Sequence, residues 1–154
     1  MRFVLHLEHQ RHFQNQGSIL FEDLVSKQDC RSLESQMKDF LKRVSKNPTD
    51  VRWRENIFRS LPSVVSVVKK QRLLNYAADL VHRPRLSLVR DFWIFSGELV
   101  PTWEEDCQLF LCLSGGNCGQ GVFFRDEYPA SLLSLNEGET GLLLGFSSTG
   151  LPIY

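Results

Sequence analysis

Imidazole is missing from the second half of this sequence: the four histidines, His6, His9, His12 and His82, all precede residue 83 of 154. Basic charge is scarce there too. Residues 91–154 hold Arg125 and no other Lys or Arg, against 9 acidic residues, whereas residues 1–90 hold 17 basic and 9 acidic ones. The formal net charge of zero therefore hides a surplus of eight positive charges followed by a surplus of eight negative ones. Glycine is scarce in the first part, with nine of the 10 glycines lying past residue 96. No Cys-x-x-Cys pair occurs, which excludes the usual zinc-finger and dithiol motifs, so Cys30, Cys107, Cys112 and Cys118 are expected to be free, mostly buried thiols. No apolar run approaches the ~20 residues that span a bilayer, since even Leu61 to Val68 is broken by Pro62, Ser63 and Ser66. Arg2, His6 and Glu8 interrupt any apolar stretch at the start, so no secretory leader is expected. The cytoplasm is the expected location, and a membrane is not an expected partner.

What is present fits a globular protein. The 42% hydrophobic and 23% charged fractions are near the average for soluble domains. A chain of this length can bury one core without metal or disulfide support, so residues 1–154 are expected to form a single domain.

Phe3, Leu5 and Leu7 alternate with Val4, His6 and Glu8 and predict a short opening strand, followed by a polar helical turn over His9 to Gln16 that stops at Gly17. Ser18 to Glu22 reads as another short strand. From Ser26 the pattern is helical: Ser26 and Asp29 stand at capping-box spacing, and Cys30, Leu33, Met37, Phe40, Leu41 and Val44 recur every three or four residues. A second helix is predicted over Asp50 to Ser60, with Trp53 and Ile57 on one face, and another over Gln71 to Val81. Past Pro84 the periods shorten. Asp91 to Phe95, Gln108 to Leu113, Gly121 to Phe124, Leu132 to Leu135 and Gly141 to Phe146 read as β runs separated by turns, the spacing of a sandwich or barrel. Residues 1–90 thus form a mainly helical, basic layer and residues 91–154 a mainly β, acidic one.

Three stretches resemble phytanoyl-CoA-dioxygenase-like proteins. His12 to Phe21, with Leu24, Asp29, Cys30 and Leu33, is similar to that family's opening helix, glycine, short strand and long helix. Pro62 to Val68, then Leu73, Leu74, Ala77, Leu80, Leu86 and Asp91, resembles its middle helix and first core strand. Trp103-Glu104-Glu105-Asp106 through Leu113, Gly119 and Gly138-Glu139 resembles its metal-motif turn, core strands and late turn. The same order of elements also resembles a small chlamydial protein family of unknown function. The resemblance implies an α+β fold, with N-terminal helices packed on a small, cupin-like double-stranded β-helix, or jelly roll, that need not be complete.

It also implies where a metal would sit. Oxygenases of this kind hold Fe(II) with two histidines and a carboxylate, leaving open positions for 2-oxoglutarate and oxygen. Their His-x-Asp corresponds to Glu104-Glu105-Asp106, which keeps a carboxylate and replaces the first imidazole by Glu104. The distal His would fall near Ser147 to Thr149, where the sequence has none, and no Lys or Arg follows to anchor 2-oxoglutarate. Asp106 and Glu104 are the weak metal candidates. No cofactor is expected, with Fe(II) and 2-oxoglutarate implied only under the oxygenase reading.

Other motifs read blandly. His6, His9 and His12 form a polar segment more readily than a metal site, His82 suits a helix C-terminus, and the glycine-rich segment Ser114 to Gly121 lacks the Lys-Ser/Thr of a phosphate loop and suits a hairpin. Lys42, Arg43, Arg52, Arg54, Lys69 and Lys70 could form a phosphate-binding face, the basis of an alternative reading as a metal-responsive DNA-binding regulator. The preferred expectation is a non-catalytic oxygenase-like protein binding a small molecule or protein partner in the former active-site mouth. A genuine Fe(II)/2-oxoglutarate oxygenase with rearranged ligands comes third. Homodimerisation is compatible with the charge split.

Overall fold

The computed structural model describes residues 5–47, 51–125, 133 and 135–148. Helix α1 spans Leu7–Gln16 and ends where Gly17, at φ 75°, turns its N–H back to the Phe13 carbonyl. Strand β1 is Ser18–Phe21, and α2 runs over Lys27–Val44. The Ser26 hydroxyl accepts the Asp29 N–H at 3.1 Å, satisfying one of the first-turn donors of α2, whose buried face is Cys30, Leu33, Met37, Phe40 and Leu41. Ser26→Ala is expected to cost about 1 kcal/mol of stability, read from the urea midpoint at constant slope. Helices α3, Pro62–Lys70, and α4, Leu73–Val81, follow two short 3-10 turns, Val51–Trp53 and Ile57–Arg59.

Four further strands, β2 (Ser87–Phe95), β3 (Cys107–Cys112), β4 (Gly121–Phe124) and β5 (Thr140–Ser147), join β1 in one antiparallel sheet of order β1-β4-β3-β5-β2. Alternation along the strands gives the sheet two apolar faces. Leu109, Leu111, Leu142, Leu144, Phe146 and Trp93 meet the helices, while Phe92, Ile94, Phe110, Phe124 and Leu143 form a second cluster with Trp103, Leu133 and Leu135. The β3–β4 hairpin is tied to the loop before α2 through Gly119, at φ 94°, whose carbonyl accepts the N–H groups of Leu24 and Val25. A Cβ at Gly119 would strike the Val25 carbonyl, so the approach requires glycine.

The charge split becomes a set of contacts. Arg54–Glu98, Arg83–Asp106 and Arg90–Glu105 each join a base from residues 1–90 to an acid from residues 91–154.

Several sequence expectations change. Leu7 belongs to α1 and not to an opening strand, while Phe3 and Val4 lie outside the described residues. Of the helix expected over Asp50 to Ser60, Asp50 lies outside the described residues and residues 51–60 form two 3-10 turns, because Glu55 bridges Phe92 of β2 and Asn56 takes a left-handed φ of 53°. The stretch from Pro62 through Leu80, which resembles one middle helix, is two, α3 with proline at its first position and α4 from Leu73. Leu133 and Leu135 lie outside any strand, and the rest of the expected Leu132 to Leu135 run is outside the described residues.

Candidate functional site

The three carboxylates of the motif turn have three different fates. Glu104 is exposed. Asp106, at the bend entering β3, accepts both the N–H and the hydroxyl of Ser148 on Oδ2, at 2.8 and 2.9 Å, and its Oδ1 lies 3.8 Å from Arg83 Nε. Partial burial pushes the Asp106 carboxyl up, but the Ser148 hydrogen bonds and the Arg83 charge outweigh it and hold the group below the usual carboxylate range. Glu105 packs over Gly145 of β5, on the sheet face turned away from the helices. There it pairs with Arg90 at 3.0 Å, and the Arg90 guanidinium lies 5.2 Å from the Trp103 ring centre. The bend at Asp106 therefore brings the middle carboxylate to that face and uses Asp106 as a clamp between β3 and the end of β5.

Among the described residues the carboxylates that face this turn already have partners. Asp106 is committed to Ser148 and Arg83, Glu105 to Arg90, and the histidines lie on other elements. His9 Nδ1 accepts the His6 N–H at 3.0 Å in the first turn of α1, its ring edge-on to Phe21, and burial with the neighbouring His6 lowers its pKa. His82 ends α4 in a left-handed conformation. Among the described residues, no three His, Cys, Asp or Glu side chains gather to hold a metal ion. The four cysteines are buried and free, and burial raises the Cys112 thiol to about 11.

The basic residues separate. Arg54 is 0% exposed: both its terminal nitrogens bond the Glu98 carboxylate, at 2.6 and 2.7 Å, one also reaches the Trp93 carbonyl, and the guanidinium lies 4.2 Å from the Phe95 ring centre. It is a core cation and is removed from the set that could meet a phosphate. Lys70 pairs with Asp29 at 3.0 Å. Lys42, Arg43, Arg52 and Lys69 are exposed, with Arg43 over Phe40 and Arg52 over Trp53.

A feature the sequence reading missed lies between α2 and the end of the sheet. An open groove of about 910 Å³ has Leu41, Trp93 and Phe95 at its base, Lys38, Lys42 and Lys46 on one side, and Glu137 and Glu139 on the other. Trp93 and Phe95 meet edge to face with ring centres 4.9 Å apart. The Glu139 carboxylate accepts the Asn136 N–H, and Thr140 bonds Glu34, which also holds Lys38 at 3.2 Å. The four-residue spacing of Lys38, Lys42 and Lys46 was the legible signal. That β2 brings Trp93 and Phe95 beneath it was not.

Among the described residues no helix is long and apolar enough to cross a membrane. No curated protein matches the chain. Among solved structures it is similar to CT296 from Chlamydia trachomatis, 46% identical over 97% of this chain and 99% of that one, with a TM-score of 0.84. It is also similar to HygX from Streptomyces hygroscopicus, solved with nickel and 2-oxoglutarate bound, 12% identical over 98% and 90% of the two chains, with a TM-score of 0.66. The second likeness extends to the fold alone, a mixed helix and antiparallel-sheet architecture that the two chains share. The model of the family described as a domain of unknown function, DUF5070, matches residues 1–152, and the chain belongs to that family.

Proposed function

We propose that this chain is a ligand-binding module on a 2-oxoglutarate-oxygenase-like fold, a single domain that works without iron turnover. In this reading the five-stranded sheet is the major sheet of a double-stranded β-helix. The groove beside α2 carries the binding role, since its volume lies within the roughly 300–1,000 Å³ of small-molecule sites and its base is apolar. The sequence reading placed a ligand in the former active-site mouth; the packing of Arg90, Glu105 and Trp103 over Gly145 favours the groove instead.

The committed carboxylates of the motif turn support the iron-free part. An Fe(II) site needs donors free to ligate, and a carboxylate already neutralised by a guanidinium or holding two Ser148 donors must first give those partners up. The test is anaerobic addition of Fe(II) and 2-oxoglutarate followed by visible absorption. No metal-to-ligand charge-transfer band is expected, and a saturable band would overturn the iron-free reading.

A further inference from the structure

We infer that the groove beside α2 takes a flat aromatic molecule bearing one carboxylate. The inference rests on the groove being the binding site and adds the class of ligand. Three observations carry it. The first is shape: Leu41, Trp93 and Phe95 line an apolar base in which the half-buried Phe95 ring offers the accessible aromatic surface, with Trp93 edge to face behind it.

The second is charge. Lys38 is spoken for by Glu34, but one turn on, Lys42, and just past the helix end, Lys46, have no carboxylate partner among the described residues. Both line the groove. The last carbonyls of α2 draw on part of this charge, so each lysine contributes modestly and the two act together. Of the opposing acids, Glu139 is buried and holds the Asn136 N–H, while its neighbour Thr140 bonds Glu34, the partner of Lys38, which leaves the exposed Glu137 as one acid against the two lysines. An anionic head is therefore drawn to the Lys42–Lys46 end.

The third is an unmet donor. Trp93 is 1% exposed and lines the groove, yet its indole N–H has no hydrogen-bond partner. A buried N–H without an acceptor is costly, and a ligand oxygen that reaches it as the side chains of the base shift would satisfy it. An aromatic carboxylate supplies the ring and the acceptor oxygens in one small molecule.

The probe is 2-naphthoate, titrated into the full chain by calorimetry, with 2-naphthamide as the uncharged analogue. One saturable site is expected, accompanied by a shift of the Trp93 indole N–H resonance, which is assigned by its loss in Trp93→Phe. The Lys42→Gln/Lys46→Gln double variant changes only exposed side chains and should keep the wild-type melting curve while weakening 2-naphthoate at least fivefold, with little effect on 2-naphthamide. Absence of binding, equal affinity for acid and amide, or an unchanged affinity in the double variant overturns the inference. None of these outcomes bears on the iron-free reading, which the charge-transfer experiment decides separately.

Discussion

Glu98→Ala is expected to destabilise the fold by about 3–5 kcal/mol, and Arg54→Met by clearly less, although both remove one half of the same ion pair. The asymmetry comes from burial. Arg54 is fully enclosed, whereas the Glu98 side chain is 31% exposed. Without Glu98 the guanidinium stays among Phe92, Phe95 and the Trp93 carbonyl and loses the carboxylate that offset its desolvation. Without Arg54, methionine fills most of the space and keeps the ring contacts, while water solvates Glu98, which still accepts the Phe95 N–H at 2.6 Å. Urea denaturation of the two variants measures the difference directly. A Glu98→Ala midpoint within 1 kcal/mol of wild type, or an Arg54→Met loss larger than that of Glu98→Ala, would contradict it. The pH sign is also fixed. Burial raises the Glu98 pKa, but hydrogen bonds from Arg54 and the Phe95 N–H and the Arg54 charge lower it more, so this stability is present above the ordinary glutamate pKa and is lost as pH falls through the folded one.

The same arginine shows where sequence reasoning stops. Helix α2 was legible because its stabilising contacts are periodic: the cap at Ser26 and the row Cys30, Leu33, Met37, Phe40 and Leu41 are local facts. Strand β4 was legible at its bounds, and β3 and β5 to within a residue or so, because turn residues flank them. Residues 50–60 misled because Trp53 and Ile57 imitate a helical face, whereas the segment is decided by distant partners: Glu55 meets Phe92, and Arg54 meets Glu98. No local pattern reports a partner 44 residues away. The site divides in the same way. The order of motifs led to Glu104 and Asp106, but the pairing of Asp106 with Ser148 depends on where β3 and β5 end side by side. The four-residue spacing of Lys38, Lys42 and Lys46 could be read from the chain, while the aromatic base beneath them depends on which face of β2 turns toward α2.

Asp91 should titrate near pH 7, and its ionisation should make the fold less stable as pH rises, the reverse of Glu98. The side chain is buried in β2 and its two oxygens accept the N–H groups of Ile57 and Phe58, each at 2.8 Å, at the start of the second 3-10 turn. Its own carbonyl accepts the Asn56 N–H at 2.9 Å. Burial penalises the charged form most; the two N–H bonds and the Arg59 charge favour it but do not compensate, and the carboxyl is pushed up to about 7. The native state then holds a proton that the unfolded chain releases near pH 4. Between about pH 4 and 7 the native state binds more protons than the unfolded one, so this group's contribution declines by up to roughly 1.4 kcal/mol per pH unit and levels off above 7. Because Glu98, Asp29 and Asp106 titrate with the opposite sign at lower pH, the informative quantity is wild type minus Asp91→Asn at each pH. The amide turns a donor toward one of the two backbone donors, so the variant loses about 1–3 kcal/mol at pH 5 and has its pH slope flattened between 5 and 7. Carboxyl-carbon NMR, with Asp91 assigned by its loss in the variant, gives the midpoint independently. A midpoint below 4, or a wild-type advantage that grows from pH 5 to 7, would show that the two N–H bonds outweigh burial and that the carboxylate caps the turn as an anion.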